Sequence, residues 1–233
     1  MFRKAFHYIN NIRPFDRPIR PLSFKRKRTE FQSENKVEND EQVSKRIKLK
    51  HILDSSKTNH KKEILNQDNL KEAHIYCKIN NLSGQISGPL IENYIKTKYN
   101  MLKNNPSNCI GDLNCNEKNI EVKISNGNKN FNYVQLRMNH NCEYIFTAYH
   151  LDYTNLNQSG ELFIFRLRKD DIKKLIIKYG SYAHGTIKKL GQICKQDLDK
   201  TDNIKEYALR PKYGDKCWKE LLQYRITDIP YGK

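Results

Sequence analysis

Apolar residues recur at helix-like and strand-like spacings from about residue 63 onward. Ile64, Leu65, Leu70, Ala73, Ile75, Cys77 and Ile79 predict one helix or two short ones over 63–80. Gly84 and Gly88-Pro89 interrupt this pattern, and Leu90, Ile91, Tyr94, Ile95 and Tyr99 then resume helical spacing. Short β-branched and aromatic runs at 108–113, 119–125, 132–138, 143–150 and 161–167 predict strands. Gly127-Asn128 and the stretch 157–160 supply turn residues between them. Ile172, Leu175 and Ile176 mark a helix over 170–179 ended by Gly180, and Cys217, Trp218, Leu221 and Leu222 mark a last one. Helices, about five strands, then helices predict an α/β or α+β domain over 63–233, a central mixed sheet flanked by helices.

Residues 1–62 lack such spacing. They hold one of the fourteen tyrosines, and Pro14, Pro18 and Pro21 break regular structure near their start. Their 17 Lys and Arg against 7 Asp and Glu give a net charge of +10. Such a composition predicts a largely disordered basic tail. Its two clusters, Lys25-Arg26-Lys27-Arg28 and the run from Lys45 to Lys50, read either as a signal for a nuclear import receptor or as a solvated, DNA-binding arm.

Charge narrows the partners. The chain carries +17 overall, which favours nucleic acid, an anionic membrane or an acidic protein. No apolar run reaches the roughly 18 residues that span a bilayer, and the N-terminus shows no secretory apolar core. An intracellular protein is expected, in the nucleus or otherwise the cytoplasm. The six cysteines form no CxxC pair and are expected to be free thiols. Zinc candidates would be Cys109, Cys115, His140 and Cys142, although their spacing fits no usual ligand pattern.

Against this background the stretch GDLNCNEKNIEVKIS, residues 111–125, is anomalous. Alternation along a strand puts Ile120, Val122 and Ile124 on one face and Glu121 and Lys123 on the other. A hairpin centred between Asn116 and Glu117, with 114–119 as its turn, sets Asp112 opposite Glu121, with Cβ atoms roughly 5 Å apart. Two half-buried carboxylates in that position repel one another. A divalent cation relieves the conflict, and their hard oxygen donors suit Mg²⁺. Lys123 is then placed to touch an attacking water or a developing phosphoryl charge.

The pattern of Asp112, an eight-residue gap and then Glu121-Val122-Lys123 resembles the PD-(D/E)XK nuclease superfamily, in particular type II restriction endonucleases. Gly111 stands where that family commonly has proline. Glu92, on the helix before the hairpin, matches a further acidic position of the family. The resemblance covers about residues 85–150 and implies a restriction-endonuclease-like core and Mg²⁺-dependent hydrolysis of DNA phosphodiesters. It implies metal ligation by Asp112, Glu121 and Glu92, with the Val122 carbonyl a further ligand, and catalytic roles for Asp112, Glu121, Glu92 and Lys123. Gln135, on the next predicted strand, is a candidate to reach the metal-bound water.

DNA contacts are expected from Arg137, Asn139 and His140, and from Ser181, Tyr182, His184, Thr186, Lys188 and Lys189 in the stretch 179–189. Arg and Asn read base edges, and Ser, Thr, Tyr and Lys suit phosphates. The expectation is an endonuclease of restriction type acting on double-stranded DNA, a homodimer by the symmetry of duplex cleavage. Its rivals are a structure-specific or repair nuclease of the same fold and a non-catalytic basic nucleic-acid-binding protein. An anionic-membrane binder is disfavoured because no strongly amphipathic helix is evident.

Overall fold

The computed structural model describes residues 48, 55–108, 110–152, 154 and 159–231. The expected tail therefore lies outside the described residues up to 54, apart from Lys48, and so does the zinc candidate Cys109. The expected boundary at 62 falls within a helix over 55–65 (α1), where Ile64 is fully buried and His60 Nδ1 meets the Tyr76 hydroxyl at 2.8 Å.

Helices α2 (Leu70–Ile79) and α3 (Gly84–Lys98) follow and pack on each other. Asn69 caps α2 by accepting from the Glu72 amide at 3.0 Å. The expected break at Gly88-Pro89 does not occur, and α3 runs straight through. Pro89 forfeits one backbone bond there, a cost of about 3 kcal/mol in an isolated helix. Burial of Leu90, Ile91, Tyr94 and Ile95 in the core beneath α3 offsets it.

The principal sheet is six-stranded and mixed. Its order is β1 (Leu102–Lys103), β2 (Leu113–Cys115), β3 (Lys118–Gly127), β5 (Glu143–His150), β6 (Glu161–Leu167) and β9 (Arg225–Ile226). Only the central β3–β5 pair is parallel. The strand expected over 108–113 starts instead at Leu113, because a 3₁₀ turn occupies Pro106–Asn108 and Gly111 takes φ 96°. Gly127, expected in a turn, ends β3 in register with His150.

A second sheet joins β4 (Tyr133–Arg137), β8 (Glu206–Leu209) and β7 (Ser181–Tyr182). The expected central strand over 132–138 thus belongs to this smaller layer. The side chains of β5 explain why two layers are needed. Tyr144, Phe146 and Ala148 form one apolar face, while Ile145 shares the other with Ile120, Val122 and Ile164. Helices α2 and α3 cover the second face. The first is covered by β4, β8, α4 (Lys169–Tyr179) and α7 (Lys216–Leu221). Tyr133 of β4 stacks on Phe146 at 4.2 Å between ring centroids, and Phe131 stacks on Trp218 at 4.7 Å. Two short helices, α5 (Ile187–Leu190) and α6 (Lys195–Asp199), lie between β7 and β8.

Candidate active site

The β2–β3 hairpin is tighter than its polar sequence suggests. Leu113 pairs with Ile120, Asn114 with Asn119 and Cys115 with Lys118. The turn is only Asn116-Glu117, both at positive φ (49° and 63°), as a two-residue hairpin turn of type I′ requires. These three pairs keep the expected register as far as Leu113; Asp112 lies just beyond them, with its amide on the Ile120 carbonyl rather than paired with Glu121.

β2 pairs with only the first three residues of β3, and beyond Ile120 no described strand pairs with that edge of β3. Asp112 partly replaces the missing strand. Its amide donates to the Ile120 carbonyl at 2.9 Å, and its Oδ2 accepts from the Val122 amide at 2.9 Å. A strand residue turns its N–H and C=O to the same edge, so the Val122 carbonyl also faces this side. Gly111 makes the approach possible. At φ 96° it adopts a backbone closed to proline, whose ring holds φ near −65°. A Cβ on Gly111 would lie 2.8 Å from the Ile120 carbonyl oxygen and 3.1 Å from Cys142 Cβ. Glycine at position 111 therefore has a local cause.

A cleft of about 290 Å³ opens at this edge. It is lined by Asp112, Val122 and Lys123 of the hairpin, by Pro89 and Glu92 of α3, and by Gln135 of β4. Three secondary-structure elements thus deliver the expected catalytic residues other than Glu121 to one concavity. Glu121 is buried beside it, with Oε1 2.5 Å from Lys123 Nζ and Oε2 3.4 Å from His140 Nδ1. Gln135 has φ 56° at an irregularity in the β4–β8 pairing. A left-handed glutamine costs about 1–2 kcal/mol, a strain that favours a functional reason for its placement.

Electrostatics follow from this crowding. Burial, then the neighbouring Glu121 charge, pushes the Asp112 carboxyl above its usual range. Burial, then Asp112, does the same to Glu92, against the partial relief given by Lys103 at 3.6 Å. Burial alone would raise Glu121 too, but the bond to His140 and the Lys123 ammonium outweigh it and hold this carboxyl below its ordinary value. Three carboxyls beside Lys123 and the more exposed Lys103 crowd like charge that a divalent cation would relieve. Asp112 and Glu92 carboxylate oxygens and the Val122 carbonyl, hard donors of the kind Mg²⁺ takes, border the cleft, while both Glu121 oxygens are bonded within the chain.

The expected DNA contacts divide. His140 is buried against Glu121, and Tyr182 is buried with its hydroxyl on the Leu190 and Gly191 carbonyls. Neither is presented to solvent, a correction with a local cause in each: His140 lies in the connection between β4 and β5, packed against Glu121, and Tyr182 is at the packed side of β7. Arg137 is held by Glu206 through bonds of 2.8 and 2.6 Å, and Ser181 accepts a bond from Arg210. Asn139 is half-buried, and its Oδ1 has no hydrogen-bond partner among the described residues. His184, Thr186, Lys188 and Lys189 are exposed, His184 lying 3.4 Å from Glu206.

Two features were missed in the sequence. One is the meeting of His140 and Cys142 with Glu121, all within 4.8 Å at their donor atoms. It depends on the parallel β3–β5 register, for which the sequence carries no local signal. The other is a second cleft of about 550 Å³, bordered by Lys57, Lys61, Lys96 and Lys103 and sharing Pro89 and Glu92 with the first. Its lysines come from two helices and β1, so no single stretch announces it. Comparisons with protein-family models, with curated proteins and with solved structures found no match for this chain.

Proposed function

We propose that this protein is a Mg²⁺-dependent endonuclease of the PD-(D/E)XK type that hydrolyses phosphodiesters in double-stranded DNA. The observation that carries this reading is Asp112 held to the edge of β3 by the Val122 amide, in a cleft that also receives Lys123, Glu92 and Gln135, with Glu121 bonded to Lys123 beside it. A divalent ion held there supplies an activated water and charge stabilisation for the phosphoryl oxygens. Asp112, Glu121, Glu92 and the Val122 carbonyl would hold that ion. Lys123 positions its ammonium beside the attacked phosphate and offsets charge that develops on it. Gln135, fixed by its left-handed backbone, orients the nucleophilic water by hydrogen bonding. The lysine-bordered cleft that adjoins the site through Pro89 and Glu92 gives the flanking backbone phosphates a cationic track. Two copies acting on opposite strands would complete a double-strand cut, which makes a twofold dimer the working arrangement.

One observation favours a second reading. Both Glu121 oxygens are already engaged, by Lys123 and His140, which is the closed pairing of a structural ion network. On that reading the protein binds nucleic acid without cutting it. The test is incubation with long, unmethylated DNA in Mg²⁺ or in chelator, for the wild type, Asp112→Ala and Lys123→Ala. Discrete fragments that need Mg²⁺ and vanish in both variants support the nuclease. Uncut DNA that is nonetheless shifted in a gel supports the binding protein. Discrete bands indicate sequence-specific cutting, whereas cleavage confined to branched or damaged DNA indicates a repair-type nuclease of the same fold.

A further inference from the structure

Glu121, His140 and Cys142 offer an oxygen, a nitrogen and a sulfur within 4.8 Å of one another. We propose that these three side chains form a site for a borderline transition metal, Zn²⁺ foremost, distinct from the carboxylate cleft but sharing Glu121 with it.

The placement is a product of topology. Glu121 faces Tyr144 across the parallel β3–β5 pair, and His140 and Cys142 lie on the segment that leads into β5. All three are buried, at 3%, 7% and 7% exposure. The Glu121 Oε2 to His140 Nδ1 separation of 3.4 Å is long for a hydrogen bond, whose usual length is about 2.9 Å. It is close to the spacing of two ligands on one tetrahedral zinc, roughly 3.3–3.8 Å for bonds of about 2.0–2.3 Å.

The donor chemistry separates this site from the cleft. A thiolate and an imidazole suit Zn²⁺ and are poor ligands for Mg²⁺, which prefers oxygen. Three protein donors also leave a fourth position open. Occupation would draw on the Glu121 oxygen that faces His140, while Lys123 stands 2.5 Å from the other oxygen. Zn²⁺ would then oppose Mg²⁺-dependent cleavage by competing for Glu121. That consequence rests on the nuclease reading, and the metal site does not.

The experiment uses the full chain, stripped with chelator and titrated with Zn²⁺, and in parallel with Co²⁺, whose thiolate charge-transfer absorption reports a sulfur ligand. One equivalent of each metal should bind, with a sulfur-to-cobalt band. Cys142→Ala should abolish the band, His140→Gln should weaken zinc binding by about 10-fold or more, and Cys194→Ala, which removes a thiol elsewhere, should change neither. Zinc should also protect Cys142 of the wild type from iodoacetamide, read by mass spectrometry, so that the result does not depend on a variant folding. No cobalt–thiolate band, unaltered zinc binding by a folded Cys142→Ala, or an unprotected Cys142 would overturn the site. Cleavage assayed alongside keeps the two ideas apart: absence of any Mg²⁺-dependent cutting defeats the nuclease reading and leaves the metal titration standing.

Discussion

The Val122 amide donates to Asp112 Oδ2 at 2.9 Å, a bond that a longer β2 would have satisfied with its own backbone. One carboxylate thus has two tasks: it completes a strand edge and it contributes charge to the cleft. The tasks separate by substitution. Asp112→Asn keeps an acceptor for Val122 and removes a charge that burial and Glu121 disfavour. Asp112→Ala leaves a largely buried amide without a partner, at a cost of about 1–3 kcal/mol. In chelator at neutral pH, Asp112→Asn should melt at or above the wild type and Asp112→Ala below it. Both should lose at least about 100-fold in Mg²⁺-dependent cleavage. Because the folded carboxyl titrates above its unfolded range, stability associated with its protonated form is present at low pH and lost as pH rises through the raised value. The advantage of Asp112→Asn should therefore grow with rising pH, as measured by paired thermal melts. A lower melting point for Asp112→Asn at pH 7 would contradict the crowded-carboxylate account.

Gly111 is expected to tolerate nothing larger. Alanine there combines a left-handed backbone with a Cβ 2.8 Å from the Ile120 carbonyl oxygen and 3.1 Å from Cys142 Cβ. Strain and overpacking together should cost roughly 2–4 kcal/mol. Gly111→Pro should be worse, because the ring excludes positive φ altogether. Urea denaturation checks both. Equal midpoints for the wild type and Gly111→Ala would show that the close approach of Gly111 to β3 is not needed.

Local chemistry explains how much could be read in advance. Helix α4 with its end at Gly180, strands β5 and β6, and the register of the β2–β3 hairpin were legible, since each rests on periodicity or on a short turn. The gathering of Glu92 and Gln135 around the hairpin followed from a resemblance and from element order. Long-range pairing was hidden. Glu206–Leu209 and Ser181–Tyr182 are too short to show a pattern, so the second sheet, and with it the true place of β4, was invisible. Gly88-Pro89 looked like a break because helix propensity is local, whereas the burial that overrides it comes from the core beneath α3. His140 and Tyr182 looked like DNA contacts because residue type does not reveal which side chains are packed.

Gln135 should trade stability for function. Glycine adopts φ 56° without the side-chain clash, so Gln135→Gly relieves about 1 kcal/mol of strain, less the loop entropy that glycine adds. The side chain itself is exposed at the cleft and contributes little packing. Expected results are an unchanged or higher melting temperature together with cleavage reduced about 10-fold or more. Gln135→Glu, which keeps the shape and adds a third carboxyl to the cleft lining, should alter the Mg²⁺ concentration needed for half-maximal rate. A Gln135→Gly protein that cuts as fast as the wild type would remove Gln135 from the catalytic set.

His74 sets an acid limit on the fold that is independent of the cleft. It is completely buried on α2, and Nδ1 lies 2.6 Å from Asn126 Oδ1 at the end of β3. Burial pushes its pKa down to about 4, and the bond to Asn126 only partly opposes this. The unfolded chain, with an ordinary imidazole near 6.5, takes up a proton first as the solution is acidified. Stability from the neutral ring is therefore complete above about pH 6.5 and is lost progressively as pH falls toward 4. The full effect is on the order of 3 kcal/mol for a shift of this size. His74→Gln is expected to lower stability at pH 7, through imperfect packing, but to flatten the dependence between pH 6.5 and 4. Urea melts of both proteins across that interval measure the difference in slope. Parallel curves would mean that His74 is charged in the folded protein and that the helix–sheet contact at Asn126 holds an imidazolium instead.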